Sequence, residues 1–395
     1  MPKPRYLAPW HQPDLMEAIA DREAGGEGLG KVLDAEMLAS LRGKPAIYHC
    51  ISRVVDRRFV FGTPEKEQFV TFLRLYEQFC QVRVLSYAVM SNHFHILLEV
   101  PARPADGGQS WSDAKLLKHL RGLYSGRKLR EIEWQLGQFR EEGNERGADE
   151  LRQSFFYRMW DLSEFMKTLK QRFARWFNKR HERKGTLWEE RFKSVLVEDG
   201  HAARVMSAYI DLNPVRAGLV KRSEDYRWCS FGEAVAGRPR AREGLQRVLF
   251  ESESAFNSEA RAAEMLLSWR KTASRYREVL GAHRQRDRER AEAKSADRTA
   301  PASSPGPAPG ADPTPGADPT PGEAPPAPAL SETEALLHQV RYFIDGLVIG
   351  SQRYVDALHE LTRPYFGPNR KDGARKLRGI QTELRSMRDL QPNRS

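Results

Sequence analysis

Tyr87-Ala-Val-Met-Ser-Asn-His-Phe-His-Ile-Leu-Leu-Glu-Val100 carries the pattern from which the rest of the chain is read. Ser91-Asn92 is a turn signal between two β-type runs, Val82 to Met90 and His93 to Val100. Ile96-Leu97-Leu98 is apolar without interruption, which suits a buried strand. Side chains two apart on a strand share a face. His93 and His95 are therefore expected side by side, with Phe94 pointing the opposite way into a core. Two neutral imidazoles on one face make half of a metal site. Such a pair also arises as ordinary packing or surface histidines, so the surrounding sequence has to carry the case.

Working outward, Ala46 to Val54 is a further β-type run. Pro64 to Gln81 reads as a helix through Phe69, Phe72, Leu73, Tyr76 and Phe79. Ser163 to Lys179 reads as another, with Phe165, Leu169, Phe173 and Phe177 on one face and Ser163 as N-cap. A short strand at Val195 to Val197 and a helix from Ala202 to Leu212, stopped by Pro214, complete the region. Residues 101–158 interrupt it as an insertion of charged helix, Ala114 to Gln138 and Asp149 to Met159, with a polar centre at Glu141 to Gly147. The order strand, helix, strand, strand, helix, strand, helix predicts an α+β, ferredoxin-like antiparallel sheet with helices on one side.

The chain has 395 residues, 40% hydrophobic and 30% charged, enough for a core with polar surface to spare. Lys plus Arg number 64 against 53 acidic residues, a formal charge of +11, which points first to nucleic acid. A generic basic surface gives the same balance. Cys50, Cys80 and Cys229 are odd in number and widely separated, which predicts a reducing compartment and no structural zinc. No secretory h-region and no long apolar run is visible, so the expectation is a cytoplasmic, nucleoid-associated protein without a membrane span. Residues 1–43 read as a lead-in and 44–240 as the main domain. Residues 241–295 read as a charged helical extension and 331–395 as a basic helical C-terminal unit, with periodicity in Leu336, Val340, Phe343 and Leu347. Between them, 296–330 is Pro/Gly/Ala-rich, repeats Pro-Gly-Ala-Asp-Pro-Thr in tandem, and reads as a disordered linker.

The helix before Pro214 carries Tyr209 and Asn213, four apart and so on one face. If that face looks at the histidines, Asn213 offers an amide oxygen as a third metal ligand and Tyr209 a hydroxyl beside it. Mg²⁺ or Mn²⁺ would suit two imidazoles and an amide oxygen with positions left open. Such a cation polarises a phosphoryl oxygen, and the tyrosine then forms a covalent intermediate. Taken alone, a tyrosine such as Tyr209 is more often a packed helix residue than a nucleophile, and an asparagine before proline such as Asn213 more often a helix-end residue than a ligand.

At this point the chain resembles the HUH single-tyrosine (Y1) transposases, and among them the REP-associated tyrosine transposase-like group. The resemblance rests on Tyr48-His-Cys-Ile-Ser-Arg53, Tyr87 to His95, Phe165-Met-Lys-Thr-Leu-Lys-Gln-Arg-Phe173, Gly185-Thr-Leu-Trp-Glu-Glu-Arg-Phe-Lys193, Tyr209-Ile-Asp-Leu-Asn-Pro-Val-Arg-Ala-Gly218 and Asp225-Tyr-Arg-Trp-Cys-Ser230. It implies an HUH nuclease fold, His93, His95 and Asn213 as metal ligands, and Tyr209 as nucleophile. It further implies an enzyme that nicks and rejoins single-stranded, hairpin-containing DNA through a 5′-phosphotyrosine, as a monomer or homodimer. Phe173, where relatives often carry tyrosine, reads as core. Lys170, Arg172, Arg175, Arg191, Lys193 and Arg216 are candidate phosphate contacts, with a solvated helix face as the equal alternative. Two other functions stand beside this one: a domesticated hairpin-binding regulator with little turnover, and a metal-dependent RNA-processing nuclease.

Overall fold

Strands β1 (Ala46–Arg53), β2 (Arg83–Val89), β3 (His93–Val100) and β4 (Lys193–Val197) form the centre of the sheet in the computed structural model. The structure describes residues 6–12, 14–17, 41, 43–250, 269–281, 330–363, 366, 370 and 373–388. β1 lies between β3 and β4, β2 flanks β3, and every one of these pairings is antiparallel. The crossover from β1 through helix α1 (Thr63–Phe79) to β2 leaves one strand position vacant, which β3 fills by a tight hairpin. This is the split β-α-β order of the ferredoxin-like plan.

Helices cover both faces of the sheet, not one. β3 is buried from Phe94 to Val100, so each face of it needs a cover. One face carries α1, the insertion helices α2 (Asp113–Leu120), α3 (Gly126–Glu141) and α4 (Glu145–Phe156), and the long helix α5 (Leu162–Arg180). The opposite face carries α6 (His201–Asp211), α7 (Ser230–Val235), α8 (Pro239–Phe250), α9 (269–281) and α10 (Arg341–Asp345).

Phe94 belongs to the first face. Its ring lies 4.6 Å from Phe69 and 5.5 Å from Trp188. Phe173 stacks on Phe61 at 5.1 Å in the same cluster and is fully buried, as expected of core. The N-cap of α5 is Asp161, whose carboxylate accepts from the Glu164 amide at 2.8 Å; Ser163, the expected cap, sits inside the first turn. The insertion forms three helices rather than two. Asn144 restarts the chain after the exposed break near residue 143, its side chain accepting from Gly147 N.

The C-terminal unit departs most from expectation. Among the described residues there, only Arg341–Asp345 and the separate α11 (Gln352–Leu361) form helices longer than a single turn. β6 (Val348–Gly350) pairs in parallel with β4, and β9 (Arg385–Ser386) and β7 (Arg375–Lys376) follow, extending the sheet to seven strands. β5 (Leu330–Ser331) and β8 (Ile380–Gln381) pair separately. The apolar run Leu347-Val-Ile docks on the free edge of β4, and Val348 and Ile349 become fully buried there. Most of the 1–43 lead-in and nearly all of the 296–330 linker lie outside the described residues. Among the described residues, no helix is long and apolar enough to cross a membrane.

Phe94→Ala would leave a cavity behind the histidine strand. It is expected to cost about 3–5 kcal/mol of unfolding free energy, read as a lowered urea midpoint with unchanged slope.

Candidate active site

The hairpin register places the site. In the β1–β3 ladder Arg53 opposes His93, Ile51 opposes His95 and His49 opposes Leu97. His49, Ile51 and Arg53 therefore share the face that carries His93 and His95. The two β3 rings lie 5.1 Å apart. Helix α6 crosses this face and sets the Tyr209 ring 6.2 Å from His95 and 6.3 Å from His49, edge-on to both. The fold thus brings His93, His95 and Tyr209 together.

A chain of hydrogen bonds fixes how the imidazoles present themselves. A carbonyl oxygen only accepts, so Nδ1 of His49 donates to the Phe343 carbonyl at 2.6 Å. Burial holds His49 neutral, with its pKa lowered to about 4. Its Nε2 is then an acceptor and takes the Nδ1 hydrogen of His95 at 2.8 Å. His93 donates its Nδ1 hydrogen to Asn92 Oδ1 at 2.7 Å. Among the described residues, neither β3 histidine has a hydrogen-bond partner at Nε2. A metal-ligating histidine is typically held in this way, its other ring nitrogen donating to a fixed acceptor. Burial, then Arg53 and Arg216, lowers the pKa of His93 to about 4, and burial followed by the neighbouring histidines lowers that of His95 further. Both rings therefore meet a cation unprotonated.

Further donors come less readily. Among the described residues, no group of three His, Cys, Asp or Glu stands ready to hold an ion. Asn213 donates Nδ2 to the carbonyls of Tyr209 and Ile210 at 3.3 and 3.1 Å, which makes it a helix-end residue here. Its amide oxygen is left as the candidate third donor.

Tyr209 is buried to 1% exposure. Burial raises its pKa, while Arg216, a backbone hydrogen bond with Val340 and the charge of Arg53 pull the other way. The Arg216 guanidinium lies 4.1 Å above the Tyr209 ring and donates to the carbonyls of Tyr209 and Leu336. Phe343 closes the far side, its ring 5.0 Å from that of Tyr209. The segment from Leu336 to Phe343 therefore lies across the tyrosine.

Sequence reasoning missed His49, Arg53 and this segment as parts of the site. His49 and Arg53 were findable: they sit in the same alternating run, four apart, once β1 is placed beside β3. Of the candidate phosphate contacts, Arg172, Arg175 and Arg191 are exposed. Lys170 is buried, donates to the Glu190 carbonyl at 3.0 Å and lies over Trp188. Lys193 pairs with Asp345 at 2.9 Å, and Arg216 is held inside the site.

The paired histidines of β3 and the helix tyrosine that faces them lie in the part of the chain that is similar to Y1 transposases. Residues 44–124 and 156–213 match the family model described as IS200-like transposase, which places the unmatched insertion at 125–155. A solved structure described as a REP-associated tyrosine transposase bound to a REP hairpin shows 14% identity and a TM-score of 0.31, covering 49% of this chain and 81% of that one. No curated protein matches the chain.

His49→Phe keeps the ring volume but removes the acceptor for His95. It is expected to weaken Mn²⁺ binding about 10- to 100-fold, measured by the electron paramagnetic resonance of free Mn²⁺. A second prediction concerns the anchoring of α6. Asp211 accepts from Tyr276 Oη at 2.6 Å and from the Phe231 amide at 3.1 Å, and burial raises its pKa from 3.8 to about 6. Its contribution is full below the unfolded value and is lost as pH rises through the folded one. The stability of Asp211→Asn relative to the parent should therefore rise between about pH 4 and pH 7, as read from urea midpoints.

Proposed function

We propose that this transposase-like protein nicks and rejoins single-stranded, hairpin-containing DNA, with Tyr209 as nucleophile. The Tyr209 oxygen attacks a backbone phosphorus, the bond to the 3′ oxygen breaks, and a 5′-phosphotyrosine forms. The phenolic proton leaves and the departing 3′ oxygen becomes a hydroxyl, so the step balances and reverses on another 3′ end. Mg²⁺ or Mn²⁺, held by His93 and His95 with Asn213, would polarise a phosphoryl oxygen. Arg53 and Arg216 supply fixed positive charge for the same phosphate. The observation that carries this reading is the placement of Tyr209 against two histidines whose Nε2 atoms have no hydrogen-bond partner among the described residues.

One observation favours a second reading. Tyr209 is sealed by Phe343 and Val340 in this arrangement, which suits a protein that binds hairpins and seldom turns over. For DNA to reach the hydroxyl, that segment has to move aside.

The test is a covalent-adduct assay with full-length protein, end-labelled hairpin DNA carrying single-stranded flanks, and Mn²⁺ or Mg²⁺. A labelled band at protein mass, lost in Tyr209→Phe and with chelator, is expected, and Phe343→Ala should raise its yield. DNA binding with no adduct, in the parent and in Phe343→Ala alike, would select the binding protein instead.

A further inference from the structure

Beside the histidines the chain makes a turn that the proposed chemistry does not use. Residues Val55–Arg57 form a single 3-10 turn between β1 and α1. Asp56 and Arg57 both adopt left-handed backbone, with φ of 56° and 52°. Neither is glycine, and consecutive left-handed residues are unfavourable for L side chains. Such strain persists where the surroundings impose it, and it concentrates at functional sites.

The surroundings do impose it. Val54 N donates to Asn92 O at 2.9 Å, Val55 N to Leu187 O at 3.0 Å, and Phe61 N to Ser91 O at 3.0 Å. Asn92 Nδ2 donates to Arg57 O at 2.9 Å. The ring of Phe61 is buried against Phe69 and Phe173. A loop pinned at both ends and in its middle holds its tip in one place.

That tip carries Phe59, 83% exposed, the most exposed large hydrophobic side chain among the described residues. Arg57 and Arg58 precede it, both exposed and, among the described residues, outside any ion pair. Behind the loop lies a cavity of about 410 Å³ lined by Arg58, Val60, Phe177, His181, Glu182 and Arg183. Positive charge therefore continues from the loop to the end of α5, where Arg175 and Lys179 are also exposed. The loop is tied to the site by one side chain. The Asn92 amide that accepts from His93 through Oδ1 donates to Arg57 O through Nδ2.

We infer that Phe59 is a stacking platform for an unpaired base in the single strand flanking the hairpin, with Arg57 and Arg58 meeting the adjoining phosphates. A rigid, exposed ring among cations is the arrangement that single-stranded nucleic acid recognises: the base covers the ring and the phosphates neutralise the charge. Duplex DNA, with its bases already stacked, has no free face to offer. The inference rests on the DNA function proposed above and names a subsite of it.

The test uses the full chain with two DNAs, a blunt hairpin and the same hairpin with single-stranded tails, carrying 2-aminopurine at one tail position at a time. Parent protein is expected to quench one tail position. Phe59→Ala should lose that quench and bind the tailed hairpin about 10-fold more weakly, with blunt-hairpin affinity unchanged and Phe59→Tyr restoring both readouts. Phe59 is 83% exposed among the described residues, so the variants should share the parent's urea midpoint. Parent-like binding and quenching by Phe59→Ala overturns the inference and leaves the proposed function standing. So does an equal loss on both DNAs, which would place Phe59 on the duplex. Failure of the parent to bind either DNA, at low salt and with Mn²⁺ present, overturns the DNA function and this subsite with it.

Discussion

Burial of β3 on both faces is the constraint to which the rest of the structure answers. One face drives Phe94 into an aromatic cluster with Phe69 and Trp188. The other puts two imidazoles under a helix. A buried N–H without a partner costs about 1–3 kcal/mol, so each ring nitrogen on that face either finds a partner or faces open coordination space. Asn92 serves His93, and His49 serves His95. His49 is itself nearly inaccessible and passes the requirement on to the Phe343 carbonyl. The chain of bonds ends there because a carbonyl needs nothing further to be satisfied as an acceptor. Two Nε2 atoms are left over, both directed by groups that hold the opposite side of their rings.

The first half of this arrangement was legible in the sequence. Period-two alternation put His93 and His95 on one face with Phe94 opposite, and period-four spacing put Tyr209 and Asn213 on one face of their helix. Those are local rules; that the helix face meets the histidines was a condition only the fold could supply. The participation of His49 and Arg53 depends on which strand lies beside β3, a long-range fact, although their own alternation was visible. The uninterrupted Ile96-Leu97-Leu98 run already marked a strand covered on both faces, where a strand with one cover alternates, so the expectation of helices on one side overlooked a signal that was present. Lys170 illustrates another limit. Its charge marked it as a phosphate contact, but the Glu190 carbonyl and the Trp188 ring give it a partner inside the fold.

The C-terminal residues were hardest to read. β6, β7 and β9 span two or three residues each, too short for any periodicity to show. Leu336, Val340 and Phe343 carry a helical spacing that the structure uses only in part. Their site contacts run largely through backbone groups, the Phe343 and Leu336 carbonyls and the Val340 main chain. Every residue offers a carbonyl, so composition cannot mark these positions. What places them is the parallel pairing of β6 with β4, which carries the preceding segment across Tyr209.

Arg216 joins this cover to the proposed chemistry. Its guanidinium lies on the Tyr209 ring and bonds the Leu336 carbonyl, and burial lowers its pKa. The carbonyl is a neutral acceptor. A DNA phosphate brings an ionised one, and a charge-assisted hydrogen bond is roughly twice as strong as its neutral counterpart. Under the proposed function, an arriving phosphodiester would compete with Leu336 for the same arginine and gain more from it than Leu336 loses. It would also restore balance to a site in which Arg53 and Arg216 have no carboxylate partner among the described residues. Under the proposed function, the group that loosens the cover is the one on which the tyrosine acts. Uncovering Tyr209 also removes part of the burial that raises its pKa, and leaves the arginines to lower it.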